Sequence, residues 1–401
     1  MATIPLEKPS ANSIPPKTIR LLALGFRPFY LLAALSTIIT IPLWALIFTG
    51  VLHTPIPGIW WHSHEMIFGF SGAIIIGFLY TAGRNWTGLM TPTGGTLAAL
   101  AALWLAGRLA MGLGSGLWAA IVDAAFLPPA GTLLLYIFIK AQNRRNYLIG
   151  ALPILLGLIN LLFHLCTLRI IPVEPLMTVH IALALIVALI IVISGRVVPM
   201  FTTNGLRTGN TLKVPVWRNK RLEYAALIVT TLALLGWALG ISAWATVPLL
   251  LTAAVLHLIR SWGWRPWATR HVSMLWILHL SCLWIPAGLI LLAAAQMNAA
   301  PVSAGVHALA IGTIGGLIIG MITRTALGHT GRMLIAGKAE TISYALVQLA
   351  AFIRVVTIFT PTAVYIGGIH LTATLWTLAF IVYLWRYTPI LIYARADGRP
   401  D

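Results

Sequence analysis

The sequence contains unusually few charged residues. Only 8% of its 401 residues are charged, and eight are acidic, whereas a soluble domain carries about 25% charged residues. So few charges cannot cover a surface that faces water on all sides. The chain is 59% hydrophobic with a mean hydropathy of +0.93. These values exclude an ordinary soluble domain and predict that lipid covers most of the exterior.

Cysteine is also scarce. Cys166 and Cys282 are the two cysteines, and both lie in apolar runs. They are expected to pack as small apolar residues, and they predict no disulfide framework. The polar, proline-rich first 19 residues lack the apolar stretch of a secretory leader, so no cleavable signal peptide is expected.

Long apolar runs dominate the rest of the chain. A membrane-spanning helix needs about 20 apolar residues, and the runs lack the period-two alternation of barrel strands. They predict an all-α integral membrane protein of about 12 transmembrane helices. The predicted spans are Phe29–Gly50, His62–Ala82, Gly94–Gly112, Leu117–Ile139, Tyr147–Leu168, Leu176–Val198, Leu222–Gly240, Trp244–Ile259, His271–Ala295, Val302–Thr323, Thr341–Phe359 and Ala363–Tyr387. The eighth is short, which suggests a tilted or partly interfacial segment.

The basic residues predict the orientation of these spans. The formal net charge of +18 is not concentrated in one patch, so nucleic-acid binding is not expected. Alternate loops and both termini hold 23 of the 26 Lys and Arg residues, the opposite side holds only Arg169, and Arg108 and Arg354 fall within spans. The positive-inside rule places the rich side in the cytoplasm, as expected of an inner-membrane protein. Residues 1–28 are then a cytoplasmic segment, 29–387 a single transmembrane domain and 388–401 a cytoplasmic tail.

Eleven histidines are the most informative polar residues. An ionisable group within a bilayer is costly unless it is neutral and partnered, and neutral imidazole is a good ligand for iron, copper or zinc. Taken alone, each histidine is better explained as a neutral residue that forms hydrogen bonds between helices. The similar depth of six of them favours metal or haem ligation, with a proton or substrate path as the competing interpretation. These six are His62, His64, His164, His180, His307 and His370.

The second, sixth and tenth spans share a layout. Each has a histidine near its predicted outer end, a stretch of small residues and an inner end rich in Arg, Thr and Gly. Their spacing suggests three four-helix pseudo-repeats. We therefore expect His64, His180 and His307 to form a metal and cofactor layer. His62 is two residues from His64, which corresponds to about 200° around a helix. We expect His62 to bind copper or to support a ligand. His164 and His370 are reserve ligands, and His279 is the candidate for a deeper site.

Four charged residues accompany these histidines. Glu65 follows His64 and is the candidate catalytic residue, because a carboxylate can orient a ligand histidine or handle a proton. Alternatively, it is an acid that complements the start of a helix. Arg108 and Arg354 are expected either to pair with Asp123 in a structural ion pair or to bind haem propionates.

Several segments together resemble the NnrS family. They include Trp61-His62-Ser63-His64-Glu65, Leu24-Gly25-Phe26-Arg27-Pro28-Phe29, Asn85-Trp86-Thr87-Gly88, Gly195-Arg196-Val197-Val198-Pro199, Leu275-Trp276-Ile277-Leu278-His279 and the stretch from His307-Ala308-Leu309 to Arg332. The resemblance implies a bacterial membrane protein that contains haem b and copper and is linked to nitric oxide and denitrification. A reductase-like activity would need an electron donor such as a quinol.

Other functions remain open at this point. Haem–copper oxidases also place ligand histidines on helices two, six and ten, but this chain lacks their closely spaced histidine pairs, so their binuclear centre cannot be transferred. A multi-pass secondary transporter is the main alternative to a redox enzyme. A sensor, or a protein that handles metal or haem without redox turnover, is a third possibility.

Overall fold

In the part of the chain that the structure describes, twelve helices are long and apolar enough to cross a membrane. The computed structural model describes residues 17–207 and 216–400, and within them the chain has no strand beyond an isolated bridge between Ile19 and Tyr393. The helices are α1 Phe26–Phe48, α2 Gly58–Thr87, α3 Gly94–Leu113, α4 Leu117–Lys140, α5 Arg144–Thr167, α6 Pro175–Leu206, α7 Lys220–Ala238, α8 Ala243–Gly263, α9 Ser273–Gln296, α10 Val302–His329, α11 Lys338–Thr357 and α12 Thr362–Ile392.

The predicted fold class and number of spans are confirmed, but several limits differ. The eighth span is a full helix of 21 residues, so the expectation of a short segment was wrong. Helices α2, α6, α10 and α12 continue beyond their predicted ends, because a helix satisfies its backbone hydrogen bonds in water as well as in lipid. The bundle runs from residue 26 to 392 and thus slightly exceeds the predicted 29–387. Residues 1–16 of the predicted N-terminal segment lie outside the described residues.

Helices α2 and α10 are the most enclosed parts of the bundle. In their most apolar 18-residue windows, 89% and 72% of the residues are buried, against 28% for α1. Helix α6 contacts both of them. A helix surrounded by other helices can carry polar side chains that lipid would not tolerate. The centre of the bundle is therefore where functional polar groups are expected.

Both central helices contain a π-helical segment. In α2 it spans Glu65–Ser71, and in α10 it spans Ala308–Gly315. Each begins one residue after a histidine that the sequence singled out, His64 and His307. π-Helical turns are rare and occur frequently at functional sites. The wider turn also changes which side chains share a face beyond this point.

The two ends of the described chain pack together. The guanidinium of Arg27 donates from Nη1 to the carbonyl oxygens of Leu391 at 2.9 Å and Tyr393 at 2.7 Å. An even number of spans returns the chain to the end of the bundle from which it started. We call this the terminal end, and we call the opposite end, where the even-numbered helices begin, the far end. The histidines of interest on α2, α6 and α10 lie toward the far end.

Candidate metal and cofactor sites

Helix α2 divides two polar sites near the far end. His62 and His64 both belong to the opening α-helical turns Gly58–His64. Two residues correspond to about 200° around a helix, so their side chains leave on nearly opposite faces. His62 lines a cavity between α2, α6 and α10. His64 points to the other side, toward α3, α4 and α5.

The cavity has a volume of about 370 Å³ and is enclosed by α1, α2, α6, α10, α11 and α12. Its walls are mostly apolar, and no acidic side chain lines it within the described ranges. The polar groups in these walls are three histidines, one guanidinium and several hydroxyl groups. His62, His180 and His307 come from α2, α6 and α10, and Arg354 comes from α11. We call this space the histidine cavity.

Neighbouring groups fix the three imidazoles. His62 stacks on Trp44 with ring centres 4.4 Å apart and an interplanar angle of 12°. His180 packs against Trp237 at 4.5 Å. The Nδ1 of His307 lies 2.7 Å from the carbonyl oxygen of Ser303. A carbonyl only accepts, so Nδ1 carries the proton and Nε2 has the lone pair that a metal needs.

Arg354 gives the cavity an anion-binding group. Its side chain is buried with 7% exposed, and Nη2 donates to the Tyr365 hydroxyl at 3.2 Å. Among the described residues, Nη1 has no hydrogen-bond partner, and neither do the hydroxyls of Ser303 and Thr372, which also line the cavity. A buried guanidinium without a carboxylate is costly. An anionic ligand at this position would satisfy it.

These features fit haem. The cavity supplies imidazole nitrogens for iron, apolar walls for a macrocycle and a guanidinium for a propionate. Imidazole nitrogens also suit copper. The unpaired Nη1 of Arg354 is the observation that argues most directly for a missing anionic partner.

The second site is a compact set of buried polar side chains on the other face of α2. We call it the ion cluster, and it consists of His64, Glu65, Arg108, Asp123, Asn160 and His164. Asp123 lies at its centre. Its Oδ2 is 3.0 Å from His64 Nε2, 2.9 Å from His164 Nε2 and 2.7 Å from Asn160 Nδ2. Side chains from α2 and α5 thus meet at one carboxylate of α4.

Arg108 joins the two carboxylates of the ion cluster. Its Nη1 donates to Glu65 Oε1 at 2.6 Å, and its Nη2 forms an ion pair with Asp123 Oδ1. The Asp123 side chain is fully buried, and that of Arg108 is 10% exposed. Gly69 on α2 makes room for the guanidinium, since a Cβ at this position would overlap Arg108 Nη1. The charges are therefore enclosed and geometrically fixed.

The family model for the NnrS protein matches residues 20–395. The chain belongs to the NnrS family. No curated protein matches it. The match includes all twelve helices, so the histidine cavity and the ion cluster both lie within the region that defines the family.

In this NnrS family member, the histidines are grouped differently from the sequence prediction. The prediction placed His64 in a layer with His180 and His307. The structure instead places His62 with them in the cavity and pairs His64 with His164. Spacing alone showed that the two α2 histidines face apart, but it did not show which one faces α6 and α10.

Two other predicted ligands lie elsewhere. His370 is exposed on α12 and lines neither site. His279 is buried and bonds to Thr202 Oγ1 through Nε2 at 2.8 Å, nearer the terminal end. The structure also separates the two arginines: Arg108 pairs with Asp123, whereas Arg354 lines the cavity.

Sequence reasoning missed several contributing residues. Asn160 precedes His164 by four residues on α5, so the two share one helix face, and this spacing was a usable signal. Ser303 also precedes its histidine, His307, by four residues, and its carbonyl oxygen contacts the His307 ring. Trp44 and Trp237, which fix His62 and His180, left no comparable signal because they lie on other helices.

Proposed function

We propose that this protein binds haem b and copper in an inner membrane and acts on nitric oxide. Membership of the NnrS family supports a nitric-oxide-response membrane protein. The observation that carries the cofactor proposal is the convergence of His62, His180 and His307 with Arg354 on one largely apolar cavity.

The residues have separable roles in this proposal. The imidazoles of His62, His180 and His307 hold haem iron and copper, and Arg354 binds a propionate. When bound, the haem iron supplies a site at which nitric oxide coordinates. The stacking of His62 on Trp44 and the Ser303 bond to His307 keep two of the rings in fixed orientations. Such fixed rings are suited to metal ligation, because a contact on the part of the imidazole away from the metal orients the ring and selects its tautomer.

Nitric oxide is small and uncharged, so it can reach the cavity through lipid and apolar side chains without a polar channel. Reduction of nitric oxide would require electrons from a quinol or another donor, and protons. Glu65 does not line the cavity. We therefore propose that Glu65 acts by positioning His64 and Arg108 and does not touch the substrate itself.

The proposed orientation places both chain ends in the cytoplasm. It rests on the sorting of 23 basic residues to one side and Arg169 to the other. The histidine cavity then lies in the outer half of the membrane, since it is at the far end of the bundle.

The test is cofactor content in single variants. His62→Ala, His180→Ala and His307→Ala are purified separately, and haem and copper per protein are measured with the haem absorption spectrum. We expect each to lose haem or copper, because removal of a ligand removes the metal–nitrogen bond. His370→Ala is the matched control, since His370 is exposed away from the cavity, and it should retain both cofactors.

Two results would refute the proposal. Retention of full haem and copper by all three cavity variants would make these histidines structural. A colourless, metal-free wild-type protein would favour the transporter alternative. If the wild type does hold haem, a further assay measures nitric oxide consumption by the purified protein with an artificial electron donor. This assay separates an enzyme from a protein that only binds or senses the gas.

A further inference from the structure

The ion cluster presents four ligand atoms to one point. His64 Nε2, His164 Nε2 and an Asp123 carboxylate oxygen lie within 4.8 Å of one another. Asn160 Oδ1 lies 2.8 Å from His64 Nε2. Ligands placed tetrahedrally around a metal at about 2.0–2.1 Å are ~3.3 Å apart. Asp123 Oδ2 lies 3.0 Å from His64 Nε2 and 2.9 Å from His164 Nε2. These two pairs and the His64–Asn160 pair would open by ~0.3–0.5 Å to admit an ion.

The hydrogen bonds of the ion cluster direct acceptor atoms at the space between these ligand atoms. His64 Nδ1 faces Glu65 Oε1 at 3.3 Å, and Glu65 is held by Arg108. An ionised carboxylate only accepts, so this contact is a hydrogen bond when Nδ1 carries the proton. In neutral imidazole the opposite Nε2 then has a lone pair.

That lone pair faces other acceptors. The Asn160 amide donates from Nδ2 to Asp123, which turns its Oδ1 toward His64. His64 Nε2 therefore meets Asp123 Oδ2 at 3.0 Å and Asn160 Oδ1 at 2.8 Å. Three lone pairs directed at one another require a cation or a proton between them. A metal ion, a second proton on His64 or the neutral tautomer with its proton on Nε2 meets this requirement.

We propose that the ion cluster binds a divalent first-row transition-metal ion. His64 Nε2, His164 Nε2 and Asp123 Oδ2 are the ligands, and Asn160 Oδ1 completes the set. Two imidazoles with oxygen ligands suit zinc, copper(II), iron or nickel, whereas calcium and magnesium prefer oxygen alone. Glu65 is a positioning residue: its carboxylate on the far nitrogen of a ligand histidine fixes the tautomer that metal binding needs.

The charges of the ion cluster leave room for a further cation. Without a metal and with neutral histidines, Arg108 is the single cation among the six residues, and Glu65 and Asp123 are two anions, which gives a net charge of −1. A buried excess of negative charge favours an additional cation. A divalent ion would change the net charge to +1 and a second proton on His64 would change it to zero, so the ligand geometry, and not the charge, carries the metal assignment.

This site is independent of the histidine cavity. None of the six residues of the ion cluster lines the cavity, and α2 separates the two sites. The proposal therefore does not depend on haem binding, and its failure can be distinguished from failure of the proposed function.

The experiment measures metal and haem separately. The purified full-length protein is stripped with a chelator and titrated with Zn²⁺ and, in parallel, Cu²⁺, and bound metal per protein is determined by elemental analysis. We expect the wild type to bind one divalent ion more than His164→Ala or Asp123→Asn. These two variants should keep the haem of the wild type, whereas His62→Ala should lose haem and keep this ion.

Positioning by Glu65 has its own readout. Glu65→Gln keeps the shape of the side chain but removes its charge, and we expect its metal affinity to fall about 10–100-fold while the haem content is unchanged. His370→Ala, on an exposed part of α12, is the control and should bind metal as the wild type does.

One result overturns the proposal. If the wild type binds no divalent ion beyond those lost with the cavity histidines, the cluster is a closed ion network in which a proton on His64 Nε2 takes the place of the metal. Should the variants fail to fold, X-ray absorption of the metal-loaded wild type decides the matter. Two imidazole nitrogens and at least one oxygen around the ion support the site, and any other ligand set refutes it.

Discussion

Arg108 should be the most important single charge for stability. Its guanidinium holds two carboxylates, Glu65 and Asp123, in a region shielded from water. The 2.6 Å contact with Glu65 corresponds to about 6 kcal/mol of Coulomb attraction at an effective dielectric constant of about 20. Desolvation of the charges offsets much of this attraction. Loss of one member leaves uncompensated buried charge, which costs about 3–5 kcal/mol.

We therefore expect Arg108→Met to lower the free energy of unfolding by about 3–5 kcal/mol. Methionine retains the length and flexibility of the side chain, so the change removes mainly the charge and its hydrogen bonds. The assay is unfolding of metal-free protein in mixed detergent micelles titrated with SDS and followed by tryptophan fluorescence. The double variant Arg108→Met/Asp123→Asn should recover part of the loss, because it removes one of the unpaired carboxylates.

Arg386→Met is the matched control. Arg386 also contacts a buried carboxylate, Glu340, but its side chain is 49% exposed and the Nε–Oε1 distance is 3.7 Å. Glu340 keeps its bonds from Tyr387 and from the backbone of Gly337. An exposed pair contributes about 0–1 kcal/mol. If Arg108→Met is no more destabilising than this control, the ion cluster does not stabilise the bundle as argued.

Three further predictions follow from packing, charge and topology. Gly312→Ala should destabilise the protein by about 1–3 kcal/mol, because the new Cβ would overlap the Trp284 ring. Gly367→Ala should not destabilise it, since a Cβ there meets none of the described residues within 4 Å; equal unfolding curves for the two variants would refute this. Arg354→Gln should reduce haem retention during purification, with partial rescue by Arg354→Lys, and unchanged haem in both would remove the propionate role. A reporter fused after Asp401 should be active only as a cytoplasmic reporter, and periplasmic activity would refute the proposed orientation.

The sequence by itself determined the membrane class, the number of helices and nearly all of their positions. Span length and apolar character are local properties, set by bilayer thickness and by the need to satisfy each backbone hydrogen bond within one segment. The opposite directions of His62 and His64 are equally local, since they follow from helix geometry alone. The family resemblance also rested on short segments that can be read directly, and the family match agrees with it.

Only the tertiary structure decided which residues meet. The side of α2 that faces α6 and α10 depends on the packing of neighbouring helices, and this packing brings His62 to the cavity and His64 to Asp123. The same packing separates Arg108 from Arg354 and leaves His370 exposed. Depth along a helix can be counted from the sequence, but the direction of a side chain around the helix has meaning only relative to its neighbours. In α2 and α10 the π-helical segments also shift that direction, because a wider turn rotates all later residues relative to the regular 3.6-residue period.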